Sequence, residues 1–245
     1  MLLQPLGTPP GYPFDSPSDA FTPRQISGLE YWFDAKDLAS LFQDNTLTTP
    51  VTTTGQTVGG WKDKANARHL VQATGTLKPT YRSSYINGRP AVESDGVDDF
   101  LRYSGVTLAQ PLTIYFVGKL TSTTILQRWF DSALTNQLSA FVTAGGIRRI
   151  AAPTTIDSGA ASTVARLHTC VFNGVSSAYY VDSTLVGGPA DAGTNSIDGL
   201  TLFAARGAGA NSLGGGIGEF LAYSGVHSAS QRQMVEQYLK QRWGL

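Results

Sequence analysis

A chain of 245 residues can bury a sizeable core, and as a single domain it suits the all-β sandwiches that run beyond the usual domain length. Eighteen Lys and Arg balance eighteen Asp and Glu, which removes the electrostatic case for nucleic acid or an anionic membrane surface as partner. No apolar run approaches the roughly eighteen residues of a membrane span, so insertion into a bilayer is not expected.

Charged residues make up only 15% of the chain and there are 27 glycines, a low-charge, turn-rich composition typical of all-β extracellular or virion-type domains. Cys170 is the sole cysteine, so no intrachain disulfide is available and the fold does not depend on an oxidising compartment. The start of the sequence lacks the basic and continuous apolar regions of a secretory signal, which points to synthesis and folding in a cytoplasm.

Residues 1–28 differ from the rest. Pro5, Pro9, Pro10, Pro13, Pro17 and Pro23 are half of the twelve prolines, and that spacing forbids regular helix or a central strand. Leu2, Leu3, Leu6, Tyr12, Phe14 and Phe21 supply apolar anchors, more than a disordered tail carries. The segment reads as an extended docking arm, laid along a surface of its own chain or of a partner.

The body begins with the aromatic strand Leu29 to Asp37. Residues 45–60 read as a loop or edge hairpin, and a short strand follows at His69 to Gln72. From Ile86 to Leu101 an Asn-Gly turn, a strand, a second Gly-containing turn and a second strand follow one another. Leu112 to Leu120 is nearly continuously apolar, as a central strand should be. Further strands are expected at 125–131, 137–144, 147–151, 167–173, 176–182 and 199–205, without intervening helices. Ile217, Glu219, Leu221 and Tyr223 then alternate with small or apolar neighbours, and Ser224-Gly225 breaks the strand. Ser228 stands three residues before Gln231, the spacing of a capping box. Met234, Val235, Tyr238, Leu239 and Trp243 recur at helical spacing, so a single helix is predicted over 228–243, ended by Gly244.

Several stretches together resemble the laminin-G-like branch of the concanavalin A-like lectin/glucanase superfamily. They are Trp61-Lys-Asp63, Ile86 to Val92, Asp95-Gly-Val-Asp-Asp-Phe-Leu101, Thr113 to Val117, His168 to Gly174 with Tyr180 to Val186, and Ile217 to Tyr223 with the terminal helix. The resemblance covers residues 29–245. It implies an all-β, antiparallel jelly-roll β-sandwich with one C-terminal α-helix, preceded here by the Pro-rich arm. Domains of this look, with such an arm, are similar to those in structural proteins of tailed bacteriophages. That likeness implies a virion location as a head decoration or tail-fibre component, with other virion proteins as partners and a homo-oligomer as the working form.

Glucanases of the superfamily carry alternating acids on one strand, and Glu93-Ser-Asp95-Gly-Val-Asp98 has that spacing, but Gly96 is expected to end the strand and leave the acids tying down a turn. Glu30, Asp34 and Asp37 read as strand-end and loop polarity. Calcium is the one metal considered, through Asp95, Asp98 and Asp99, with Asp131 and Asp157 as further oxygen donors; no other cofactor is expected. His69, His168 and His227 show no zinc spacing. No nucleophile elbow occurs, Cys170 lies in an apolar strand, and Gly207 to Gly216 reads as a flexible loop. These readings lead to the expectation that the protein is not an enzyme. The alternative to the virion structural role is a glycan-binding adhesin for a host surface polysaccharide, with Trp61, Tyr81, Tyr85, Tyr103 and Trp129 as aromatic platforms. A polysaccharide hydrolase ranks below both.

Overall fold

The computed structural model describes residues 21–207 and 209–245. They form two antiparallel sheets packed face to face, with one helix on the outside of the first. This is an all-β sandwich.

The eight-stranded sheet carries β1 (Leu29–Asp34), β5 (Thr80–Ile86), β6 (Arg89–Asp95), β8 (Leu112–Leu120), β13 (Arg166–Phe172), β14 (Ser177–Val181), β15 (Thr184–Ala190) and β17 (Gly214–Ser224). Its order is β15-β14-β13-β8-β17-β6-β5, with β1 also paired to β17. The nine-stranded sheet carries β2 (Leu41–Phe42), β3 (Gly60–Trp61), β4 (Leu70–Val71), β7 (Leu101–Leu108), β9 (Gln127–Asp131), β10 (Ser139–Val142), β11 (Ile147–Ala151), β12 (Thr155–Ala160) and β16 (Ile197–Leu202). Its order is β12-β11-β10-β9-β16-β7-β4-β3-β2.

Between the sheets lies an aromatic core. The Phe116 ring on β8 stands 5.2 Å from Trp129 and 6.0 Å from Phe130 on β9, and Phe220 on β17 stands 5.5 Å from Phe130. Each such side chain, fully buried, contributes roughly 1.5–3 kcal/mol. The helix α1 (Ala229–Trp243) covers the other face of the eight-stranded sheet, packing on β8 and β13. Strand β8 is therefore buried on both faces, which is why Leu112 to Leu120 shows no alternation. The helix starts as its sequence predicts: Ser228 accepts from the Gln231 amide, the Gln231 side chain accepts from the Ser228 amide, and Gly244 closes the end at φ 68°.

A buried polar network fastens α1. Glu219 on β17 accepts from the indoles of Trp32 and Trp243, the Tyr238 hydroxyl at 2.8 Å and Arg242 Nε at 3.1 Å. Arg242 also reaches Asp34 at 2.6 Å, and Lys64 pairs with Asp34 and Asp37. Asp34 is completely buried, so the reading of it as strand-end polarity is corrected: it is one arm of this network. Burial and the neighbouring Asp34 push the Glu219 carboxyl up to about 7, against the pull of Arg242 and the other donors.

Of the arm residues, Leu2, Leu3, Leu6, Tyr12 and Phe14 lie outside the described residues. Phe21 packs edge-on against Tyr238 at 5.7 Å, Pro23 accepts a 3.0 Å hydrogen bond from the Tyr223 hydroxyl through its carbonyl, and Ile26 is buried. Residues 21–28 thus lie on the body of their own chain, over the end of α1 and β17.

Candidate functional site

In a two-sheet sandwich with a helix over one sheet, the outer face of the other sheet is the broad surface left for a ligand. Register decides what it displays. Leu101, Leu202 and Phe130 stand opposite one another on β7, β16 and β9, and all three are buried in the core. The next row, by the alternation of strand side chains, faces outward: Arg102 opposite Thr201, and Thr201 opposite Asp131. Further along, Arg128 stands opposite Phe141, Phe141 opposite Arg149, and Arg149 opposite Asp157.

These side chains interlock. Asp131 is fully buried; its Oδ1 accepts from the Ser132 amide, and its Oδ2 accepts from both the backbone amide (3.2 Å) and the guanidinium (3.4 Å) of Arg206. Arg128 Nε lies 3.6 Å from the same oxygen, while its Nη1 donates to Ser139 Oγ at 2.9 Å and its guanidinium lies 4.7 Å from the Phe141 ring centre. Arg102 donates to Thr201 Oγ1 at 3.2 Å and to the Gly207 carbonyl, with Phe100 beneath it at 4.8 Å. Burial pushes the Asp131 carboxyl up, and it pushes the guanidinium values of Arg102 and Arg128 down, since each charge has lost water. Arg149 and Asp157 form their own two-pronged pair. Two guanidiniums on one carboxylate, with Arg102 two strands away bonded only to neutral oxygens, can take hydroxyl and anionic oxygens on fixed donors.

The Gly-rich stretch closes over one side of this face. The Arg206 amide and the Gly207 and Asn211 carbonyls bond to Asp131, Arg102 and the Arg128 amide, so the described part of the stretch is tied to the sheet. Its last three residues, Gly214 to Gly216, already belong to β17, where Cβ atoms would meet Thr121, Lys119 and Tyr85. Farther along β7, Ser104, Gly105, Val106 and Thr107 line a cleft of about 230 Å³ with Leu134 and Asp198.

The aromatic platforms expected from sequence fall elsewhere. Trp61, Tyr81 and Trp129 are buried, Trp61 against Phe33 and Trp129 against Phe116 and His168, so none offers a ring to a sugar. That expectation is corrected for these three; the sandwich core needs large apolar side chains more than its surface does. Tyr85 is half-buried, with Lys119 over its ring, and Tyr103 is half-buried, folded over Gly105. Asp95, Asp98 and Asp99 do come together, with ligand oxygens within 4.8 Å of one another. Gly96, at φ +86°, ends β6 between them, and two of the acids already serve the turn: Asp95 accepts from the Val97 amide and Asp99 from the Asp95 amide. Burial and these acidic neighbours raise the Asp99 carboxyl to about 6. Three side-chain oxygens are half of the six or more that calcium takes, so the cluster reads as turn chemistry. Asp131 and Asp157 pair with arginines instead.

No family model matches the sequence, and no curated protein matches it. The fold does have solved relatives. The chain is similar to Trypanosoma rangeli sialidase in complex with 2,3-difluoro-KDN, with TM-score 0.61 and 11% identity over 96% of this chain and 36% of that one. The same sialidase in complex with sialic acid matches with TM-score 0.59 and 11% identity, over 89% of this chain and 33% of that one. Domain 4 of AbnA, a GH43 extracellular arabinanase from Geobacillus stearothermophilus, in complex with arabinotriose, matches with TM-score 0.54 and 15% identity, over 86% of this chain and 98% of that one.

The likeness is one of fold: a lectin-like β-sandwich. The chain spans about a third of the sialidase chains it matches. The expectation that the protein is not an enzyme is corrected here. Sialidases are enzymes and contain this fold, so a missing glucanase-type acid pair is no ground for excluding catalysis.

Proposed function

We propose that the protein is a carbohydrate-binding module whose ligand lies on the outer face of the nine-stranded sheet, across Arg102, Arg128 and Arg206. The observation that carries this reading is the buried Asp131 holding Arg128 and Arg206 in place on the outer face of the nine-stranded sheet, which also carries Arg102. Fixed donors above aromatic rings suit sugar hydroxyls, which need several directed hydrogen bonds and an apolar floor. The arabinanase domain supports the reading: it shares the fold over nearly its whole length and is seen with arabinotriose. Binding of the full chain to a glycan array tests it. Signal on at least one glycan class, reduced by Arg206→Ala, is the expected result; a blank array overturns the reading.

An attachment role in a phage particle, with residues 1–28 as the docking arm of a laminin-G-like domain, has the resemblance of the sequence as its support. Co-sedimentation of particles with the full chain and with a chain lacking residues 1–20 tests that role. Loss of binding on truncation is expected, and equal binding contradicts it.

A further inference from the structure

Resting on the reading of this face as a glycan site, we infer that its ligand is an acidic glycan, and that the sugar carboxylate is taken by the arginines around Asp131. The local charge is the reason. Arg128 and Arg206 share a single carboxylate, Asp131, and Arg102 on the same sheet face bonds only neutral oxygens, on a chain whose overall charge is zero. Arg149 is balanced by Asp157 and adds nothing to the excess.

The arginines are also underused. Arg102 donates to two neutral oxygens, Arg128 to Ser139 and Arg206 to Asp131, out of five N–H donors on each guanidinium. Arg128 Nε is buried with no hydrogen-bond partner, lying too far from Asp131 for a bond of its own. A guanidinium fork fits a carboxylate with two parallel bonds, which a lone hydroxyl does not supply. The geometry is held ready: Ser139, Phe141 and Asp131 fix Arg128, while Thr201, Phe100 and Gly207 fix Arg102. Little ordering of side chains remains for binding to bring about.

The test is calorimetric titration of the full chain with matched pairs: oligogalacturonate against its methyl ester, and a sialylated trisaccharide against lactose. At least one acid should bind about tenfold or more tightly than its neutral partner, and should weaken as NaCl rises from about 50 to about 500 mM. Arg102→Gln should remove most of that difference while leaving the thermal midpoint near that of the parent, and Arg206→Gln should remove it with a lowered midpoint, because it also strips a partner from buried Asp131. A sulfated oligosaccharide in a third arm distinguishes the source of the anion; sulfate binding without carboxylate binding overturns the inference. Equal affinity for acid and neutral partner overturns it too, and leaves the glycan-binding reading standing. If no saccharide of either kind binds, both fall together.

Discussion

The guanidinium of Arg128 stands over Phe141, 4.7 Å from its ring centre, although the two residues belong to different strands, β9 and β10, and meet only through the register of the sheet. This contact, with Asp131 behind it, decides where the Arg128 donors point. Phe141→Leu keeps most of the apolar volume and removes the ring. Stability should fall by less than about 1.5 kcal/mol, whereas ligand affinity should fall by about threefold or more, because a cation–π contact contributes about 0.5–2 kcal/mol. Urea unfolding beside a binding titration separates the two effects. Unchanged affinity would show that Phe141 is only a packing residue.

Glu219 is the pin of the terminal helix. Glu219→Gln replaces an acceptor of four hydrogen bonds with a group that brings its own N–H donors among them, and leaves Arg242 one charge short. Breaking a buried charged pair in this way costs about 3–5 kcal/mol. Denaturant unfolding followed by tryptophan fluorescence reads the loss directly, since Trp32 and Trp243 are two of the donors. A change below about 1 kcal/mol would mean that the network contributes little.

The pH dependence has a defined sign at His168. Burial holds its imidazole down to about 3 from an ordinary 6.5, with Nδ1 at 2.9 Å from the Tyr179 hydroxyl and the ring stacked on Phe116. Below pH 6.5 the unfolded chain takes up a proton that the folded chain refuses, so this contribution is complete above 6.5 and is lost as pH falls. His227, held down to about 4, acts in the same sense. Asp99 and Glu219, raised to about 6 and about 7, act in the opposite one. The His168 share is therefore read as the stability difference between the parent and His168→Gln. It should shrink by about 1.4 kcal/mol for each pH unit between 6 and 4. A constant difference would show that His168 titrates normally in the folded chain.

The last part of the Pro-rich segment is a fastening. A chain beginning at residue 21 keeps every contact of Phe21, Pro23 and Ile26 described above. One beginning at Leu29 loses buried Ile26, the Phe21–Tyr238 contact and the acceptor of the Tyr223 hydroxyl, and should lose about 2–4 kcal/mol. Tyr223→Phe isolates the hydrogen bond at about 1 kcal/mol. Equal stability of the two truncated chains would contradict the fastening.

Local signals in the sequence were strong where one element carries them. Ser228 with Gln231 marked the helix start and Gly244 its end, and the unbroken apolar run of Leu112 to Leu120 marked a strand covered on both faces. Strands β12 and β15 were not legible. Both are edge strands, Thr155–Ala160 being polar and mostly exposed and Thr184–Ala190 holding Gly187, Gly188 and Pro189, so neither carries the apolar alternation of a core strand. The arginine face was not legible either. Arg102 and Thr201 are 99 positions apart, and a single arginine within a strand reads as ordinary surface polarity until pairing sets it beside Asp131 and Arg206. Buried Asp34 was misread for the same reason: its partner Arg242 lies at the other end of the chain.

The most direct test of the account is where a ligand touches the protein. Isotope-labelled chain, titrated with the tightest-binding glycan, should show its largest NMR shift changes at the Nε–H groups of Arg102, Arg128 and Arg206 and at the amides of β7, β9, Arg206, Gly207 and Asn211. Changes confined to the Asp95–Asp99 turn, or to the cleft beside Arg166, Lys240 and Leu245 at the end of α1, would place the site elsewhere and contradict the account.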